Sequence, residues 1–153
     1  MPQRRTNTHI VTAAASIDAA PERVYAIIAD YHNGHAGILP DEFSDLTVER
    51  GGVGAGTVIR FRMRVMGRTQ SFRAEITEPE PGRVLVETYL DSNGAVTTFT
   101  VRPDPSGFKS EVMISTKFPV RAGLLGVIQR FLTTRYLRPI YLRELTLLAE
   151  RAR

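Results

Sequence analysis

Between Phe43 and Phe118 apolar residues recur at every second position, and this alternation constrains the fold more than any other feature of the chain. In "TVIRFRMRVM", Thr57 to Met66, the residues Ile59, Phe61, Met63 and Val65 alternate with Arg60, Arg62 and Arg64, the period of a strand with one dry and one wet face. The turn-forming clusters "GGVGAG", Gly67, "EPEPGR", "DSNG" and "PDPSG" cut the region into six strands, about 44–50, 57–66, 69–77, 83–90, 95–102 and 108–117. Such short connections join antiparallel neighbours, because a parallel pair needs a crossover of about a dozen residues or more. A strongly curved meander follows, with Asn93-Gly94 as its clearest hairpin signal.

The glycine cluster Gly51 to Gly56 raises the question of a nucleotide phosphate. A dinucleotide fingerprint needs G-x-G-x-x-G between a strand and a helix, so that backbone N–H groups and the helix dipole face the pyrophosphate. Gly52 and Gly54 fit the first two places, but Thr57 holds the third, and a strand follows instead of a helix. The cluster therefore reads as a strand-to-strand corner, where glycine supplies positive φ.

Alternation also assigns faces. Ile59, Phe61, Met63 and Val65 share the inner face with Phe72, Ala74, Ile76, Phe99, Val101, Val112 and Ile114, while Arg60, Arg62, Arg64, Arg73 and Glu75 lie outside. For the fifth strand the expected register places Val84, Val86 and Thr88 inside with Thr97, Phe99 and Val101. A one-residue slip would present Leu85, Glu87 and Tyr89 instead, so Glu87 reads as outward-facing.

Upstream, "HIVTAAASI" reads as a first strand. "AAPERVYAIIADY" reads as a short amphipathic helix, with Pro21 in its first turn and Val24, Ile27, Ile28 and Tyr31 at helical spacing. "HNGHAGILPDEF" is a loop or broken helical turn. The last segment is one long helix from about Ala122, with Leu125, Ile128, Leu132 and Tyr136 as the inner stripe of its first half and Tyr141, Leu145, Leu148 and Ala152 as that of its second. Pro139 stands between the two stripes, where a bend is expected.

At 153 residues the chain suits a single domain, 1–153, with residues 1–7 read as a disordered tail. No run is long and apolar enough to cross a bilayer, and no secretory signal is seen, so a soluble cytoplasmic protein is expected. The absence of cysteine removes disulfides, thiolate catalysis and sulfur-ligated zinc. The net charge of +4 comes from scattered arginines, without a basic run interleaved with aromatics, so no nucleic-acid partner is expected. Nothing in the sequence sets an oligomeric state.

Strand, short helix, six-stranded meander and long C-terminal helix together resemble the helix-grip fold of the SRPBCC, or START-like, superfamily, and within it the polyketide cyclase/dehydrase branch. The residues that carry the resemblance are "SIDAAPERVYAIIADY" at 16–31, "VERGGVGAGTVIRF" at 48–61, "ITEPEPGRVLVET" at 76–88 and "RELTLLAERAR" at 143–153. The resemblance implies an α+β domain in which a curved antiparallel sheet of about seven strands wraps the C-terminal helix, with one or two short helices after strand 1. It also implies a cavity between sheet and helix for a lipid, polyketide or other small hydrophobic molecule.

Phe61, Met63, Phe72 and Phe99 on the strands, and Ile128, Leu132 and Tyr136 on the helix, are the candidate ligand-binding residues, with Thr88, Thr97, Gln129 and Tyr136 as polar markers able to orient a ligand oxygen. Spacing alone does not separate a cavity lining from a packed core. For catalysis the candidates are His32 and His35, which at i, i+3 can converge, with Tyr31 or Tyr25 as hydrogen-bond donor to a substrate oxygen; the alternative is a polar surface loop. No metal site and no cofactor is expected, since two histidines with Asp30 or Asp41 have no fixed third spacing. "FPVRAGLLGVIQRFL", 118–132, is broader in its apolar arc than burial requires, so it reads either as packing against the loop around Gly37 to Pro40 or as a portal, with Arg121 and Arg130 beside it and transient membrane contact possible. The leading function is binding of a small hydrophobic ligand; the alternative is a cofactor-independent polyketide cyclase, aromatase or dehydratase.

Overall fold

The computed structural model describes residues 7–91 and 94–153. Seven strands form one antiparallel sheet: β1 (Asn7–Ile17), β2 (Phe43–Arg50), β3 (Val58–Val65), β4 (Arg68–Glu80), β5 (Val84–Tyr89), β6 (Val96–Pro103) and β7 (Ser110–Val120). Their spatial order is β1-β7-β6-β5-β4-β3-β2, so the first two strands in sequence lie at opposite edges. Helix α1 (Pro21–Ala29) and a 3-10 turn (His35–Ile38) connect those edges, and α2 (Leu124–Arg151) follows the last strand. This is the α+β helix-grip architecture, a curved sheet with its terminal helix. Asn7 opens β1; the rest of the proposed tail, and Asn93 of the proposed hairpin turn, lie outside the described residues.

Local sequence explains the elements. Pro21 lacks an N–H where a helix start needs none, and Glu22 meets the positive end of the α1 dipole. Val24, Tyr25 and Ile28 bury the helix against the sheet. The glycine corner is not an empty anion cradle. Its backbone N–H at Ala55 donates to Glu78 Oε1 at 2.7 Å, Glu78 Oε2 accepts from Tyr25 Oη at 2.6 Å, and Gly54 N–H donates to Ala29 O at 2.9 Å. The corner is thus tied to the end of α1 by the chain's own carboxylate. Gly52 sits at φ 144 and Gly54 at φ 65, conformations that a side chain would resist.

The expected faces hold on β3, β4, β6 and β7, where Phe61, Ala74, Ile76, Phe99, Val101, Val112 and Ile114 are buried. On β5 the other register is the real one. Leu85 pairs with Phe99 and Glu87 with Thr97 on the inner face, and Leu85 and Glu87 are buried. Val84, Val86 and Thr88 lie on the outer face, opposite Thr100, Thr98 and Val96. Two physical causes account for the difference. The β5–β6 hairpin closes with Tyr89 N–H donating to Ala95 O, which sets Glu87 opposite Thr97 and, across β4, opposite buried Ile76, and β-branched residues suit the outer face of a sheet as well as the inner one.

Helix α2 is divided by its packing. In the second half Tyr141, Leu145, Leu148 and Ala152 are buried as expected, and Ile140 is buried with them. Arg23 Nε and Nη2 donate to the carbonyls of Ala152 and Arg153 at 2.6 and 2.9 Å, and fasten that end to α1. In the first half Leu125 and Ile128 are exposed, Leu132 is half-buried and Tyr136 is 42% exposed, against the expected inner stripe. The sheet does not close on this half; a cavity lies there instead. The helix begins at Leu124, after Gly123 at φ 78, and runs through Pro139 as one element.

Candidate functional site

A cavity of about 740 Å³ separates the first half of α2 from the sheet. Phe61, Met63, Phe72, Tyr89, Phe118 and Leu137 give it apolar walls, and Thr116, Gln129, Thr133 and Tyr136 add polar atoms. The helix contributes through Gln129, Thr133, Tyr136 and Leu137, of which Tyr136 belongs to the expected Leu125–Ile128–Leu132–Tyr136 stripe while the other three stripe residues do not line the cavity. Exposed Met66 and Tyr136 stand where the cavity meets solvent. Aromatic rings brace the walls: Phe61 and Phe72 stack at 5.5 Å, and Tyr89 packs edge-on to Phe61 at 6.2 Å.

Phe61, Met63, Tyr89 and Tyr141 also wall a second, much smaller space of about 30 Å³ that extends toward His35, Glu87 and Glu144. The deep end of the site therefore carries buried polar groups among apolar walls. His35 comes from the 3-10 turn, Glu87 from β5 and Glu144 from α2, and all three side chains are buried. His35 stacks on Tyr31 with ring centroids 4.3 Å apart and meets the edge of Phe99 at 5.5 Å. Its Nδ1 lies 2.8 Å from the Ile28 carbonyl. A carbonyl only accepts, so Nδ1 carries the proton and Nε2 is turned toward the carboxyls. Nε2 is 3.6 Å from Glu87 Oε1 and 3.9 Å from Glu144 Oε1, both longer than a direct hydrogen bond.

Hydroxyls complete the cluster. Tyr31 Oη donates to Glu87 Oε1 at 2.7 Å and Tyr89 Oη to Glu87 Oε2 at 3.3 Å, so both carboxylate oxygens accept. Tyr89 Oη also meets Thr97 Oγ1 at 2.9 Å, Thr97 meets Thr116 at 2.7 Å, and Thr116 meets Tyr141 Oη at 2.5 Å. Burial, and then the charge of Glu87, push the Glu144 carboxyl well above the usual carboxylate range. Burial likewise raises Tyr31, Tyr89 and Tyr141, so these phenols stay protonated and act as donors. The cluster combines an imidazole, an accepting carboxylate and a carboxyl held toward its neutral form, groups able to give, take and pass a proton.

Of the residues singled out from sequence, Phe61, Met63, Phe72 and Tyr136 lie on the large cavity, and Thr97 and Phe99 on the deep space. Thr88 is on the outer face by register, while Ile128 and Leu132 line neither space. His32 and His35 do not converge: His35 is buried and His32 is exposed against Gly52. The chain turns between them, with His35 N–H donating to Asp30 O at 2.7 Å. Tyr31 joins His35, whereas Tyr25 is committed to Glu78. Arg62 is exposed as expected, but Glu87 faces inward. Glu144 was legible only as a member of the helical arc that contains Tyr141, Leu145 and Leu148, an acid among buried apolar residues. Among the described residues no cluster of three His, Asp or Glu side chains is arranged to hold a metal ion, and no helix is long and apolar enough to cross a membrane.

Comparison with known proteins places this architecture. Residues 8–153 match the family model of polyketide cyclase / dehydrase and lipid transport proteins, and the chain belongs to that family. The solved KanY protein is similar, with 26% identity over 95% of this chain and 98% of that one and a TM-score of 0.82. The fold is shared with the Zhui aromatase/cyclase of a Streptomyces species, at 16% identity, 95% and 94% coverage and a TM-score of 0.77. It is shared too with a START superfamily protein from Mycobacterium smegmatis, at 14% identity, 94% and 97% coverage and a TM-score of 0.70. No curated protein matches the chain.

Proposed function

We propose that the protein binds a small, largely apolar ligand, ring-bearing and with few polar groups, in the cavity between the first half of α2 and the sheet. One observation carries the reading: about 740 Å³ of space walled by Phe61, Met63, Phe72 and Phe118 adjoins a buried polar cluster, the combination of apolar bulk and few convergent polar groups that marks small-molecule sites. Family membership supports it, since polyketides and lipids are molecules of this kind. Phe61, Met63, Phe72 and Tyr136 would contact the ligand body, and Thr97 and Phe99 would shape the inner end. Native mass spectrometry of the purified protein, with titration of a fluorescent fatty acid and of 2-naphthol, tests the reading. A saturable 1:1 complex is expected; no uptake of either probe and no co-purifying molecule would overturn it.

A second reading is favoured by the His35–Glu87–Glu144 cluster. In a cofactor-independent cyclisation or dehydration, His35 Nε2 would take a proton α to a ketone, and the neutral Glu144 carboxyl would donate to the carbonyl or departing hydroxyl oxygen. Glu87 would stabilise the imidazolium formed. The Zhui protein is an aromatase/cyclase by name, and the same reaction class suits this cluster. Turnover of a poly-β-ketone thioester should fall about 10²-fold or more in His35→Gln and in Glu144→Gln, and remain unchanged in His32→Ala. Unaltered turnover in both buried variants would remove the cluster from the chemistry.

A further inference from the structure

The hydroxyls between Glu87 and the cavity form a single-file chain, and proton counting gives that chain a direction. Tyr and Thr hydroxyls carry one proton each. Tyr89 donates its proton to Glu87 Oε2, so toward Thr97 it can only accept. Thr97 must then donate to Tyr89 and accept from Thr116, and Thr116 must accept from Tyr141. The reverse order would leave a buried carboxylate oxygen without its donor. A charge-assisted bond outweighs a neutral one, so Glu87 decides the direction. Thr97, the middle link, is buried and lines only the deep space, so bulk water does not compete for the bond that passes the order on.

The consequence falls on the cavity wall. Tyr141 has given its proton to Thr116, and its hydroxyl oxygen retains a lone pair for which the described residues supply no donor. Both Tyr141 and Thr116 line the large cavity, whereas Thr97 lines only the deep space. We propose that the Glu87–Tyr89–Thr97–Thr116–Tyr141 chain is a specificity device that presents a hydrogen-bond acceptor to the cavity, so that the site selects aromatic or polycyclic ligands bearing a hydroxyl or N–H donor over analogues whose oxygen only accepts. The inference rests on ligand binding in this cavity and deepens it by naming the polar group the ligand must carry. Thr97 is a positioning residue in this scheme: it touches no ligand in the large cavity and acts through Tyr141.

Binding of 2-naphthol and of 2-methoxynaphthalene to the full chain tests the inference, read as the ratio of the two dissociation constants by titration calorimetry. The wild type should prefer 2-naphthol by about tenfold, the size of one decided hydrogen bond. Thr97→Val is nearly isosteric; it cuts the chain, frees the protons of Thr116 and Tyr141 to point either way, and should bring the ratio to within about twofold of that for transfer of the two probes from water to octanol. Thr116→Val should do the same, and circular dichroism with a thermal melt identifies any variant that has lost its fold. Should Thr97→Val unfold, Thr97→Ser, which retains the hydroxyl, must keep the wild-type ratio, and Thr116→Val carries the test. Binding of both probes with a wild-type ratio already at the transfer value, or an unchanged ratio in a folded Thr→Val variant, would overturn the inference while leaving the binding site standing. Binding of neither naphthalene would overturn the inference, and the binding site with it if the fatty acid is not taken up and no molecule co-purifies.

Discussion

His35 Nε2 faces Glu87 Oε1 at 3.6 Å inside the protein, with Nδ1 pinned to the Ile28 carbonyl at 2.8 Å. This relation joins the 3-10 turn after α1 to the fifth strand and so anchors the crossover between the two sheet edges to the central strand of the sheet. Because Tyr31 both stacks on His35 and donates to Glu87, ring, carboxylate and phenol hold one another in place. Packing and polar chemistry at the deep end of the site are therefore the same contacts.

Removing the Tyr31 hydroxyl should weaken the fold. Tyr31→Phe preserves the stack on His35 and leaves Glu87 Oε1, buried, without its shortest donor. The expected loss is about 1–3 kcal/mol, the cost of an unpaired buried acceptor. Urea unfolding monitored by circular dichroism measures it; a change below about 0.5 kcal/mol, the scale of surface substitutions, would mean water replaces the hydroxyl without loss.

Glu144 should make stability depend on pH in a particular sense. Burial and Glu87 raise its native carboxyl above the unfolded value, so the folded chain holds that proton more tightly. The stabilisation is fully present below the unfolded value and is lost as pH rises through the native one. The groups facing Glu144 are Glu87 from β5, His35 from the 3-10 turn, and the phenols of Tyr89 and Tyr141. Glu144→Gln mimics the neutral acid, so its melting temperature should match the wild type near pH 4 and exceed it by about 3 °C or more near pH 8.5. Parallel melting curves across that range would show that Glu144 ionises in the folded state without penalty.

Much of the fold was legible because alternation and turn chemistry agree along the meander. The inward Phe61, Ile76, Phe99 and Ile114 follow from period alone, as does the buried stripe of Tyr141, Leu145 and Leu148. The β5 register was not legible, since Val84-Val86-Thr88 and Leu85-Glu87-Tyr89 are equally good strand faces and the closure of the hairpin at Tyr89 and Ala95 decides between them. The polar cluster was hidden for the same reason. Glu87 reads as outward in one parity and inward in the other, and Glu144 looks like an ordinary helix acid until the helix is seen to be clasped there. The first half of α2 misled in the opposite direction, because an apolar stripe implies burial and here part of it stays in solvent.

Gly34 should tolerate no side chain, although its φ of −65 is open to any residue. A Cβ there would collide with the backbone carbonyl and Cα of Ile27, atoms that cannot swing aside. The close approach is what lets the chain reverse after α1 and seat His35. Gly34→Ala should cost about 1–3 kcal/mol by overpacking and should also displace the His35 ring from Tyr31. Chemical denaturation measures the first effect and the His35 ring resonances in an NMR spectrum the second; unchanged values for both would show that the turn relaxes freely.

Filling the cavity from the helix side should abolish ligand uptake without harming the fold. Thr133 lines the large cavity, is half-buried, and among the described residues its hydroxyl bonds only to the Gln129 carbonyl one turn away, so a larger side chain displaces no described partner from another element. In Thr133→Trp the indole should occupy space that the ligand needs. Affinity for 2-naphthol and for a fluorescent fatty acid should then drop about tenfold or more, while stability stays within about 1 kcal/mol of the wild type because the site is not part of the packed core. The two measurements separate the two uses of the space: if binding survives at full strength, the ligand does not lie under α2, and if stability falls by several kcal/mol, the cavity is closed in solution and the helix packs there after all.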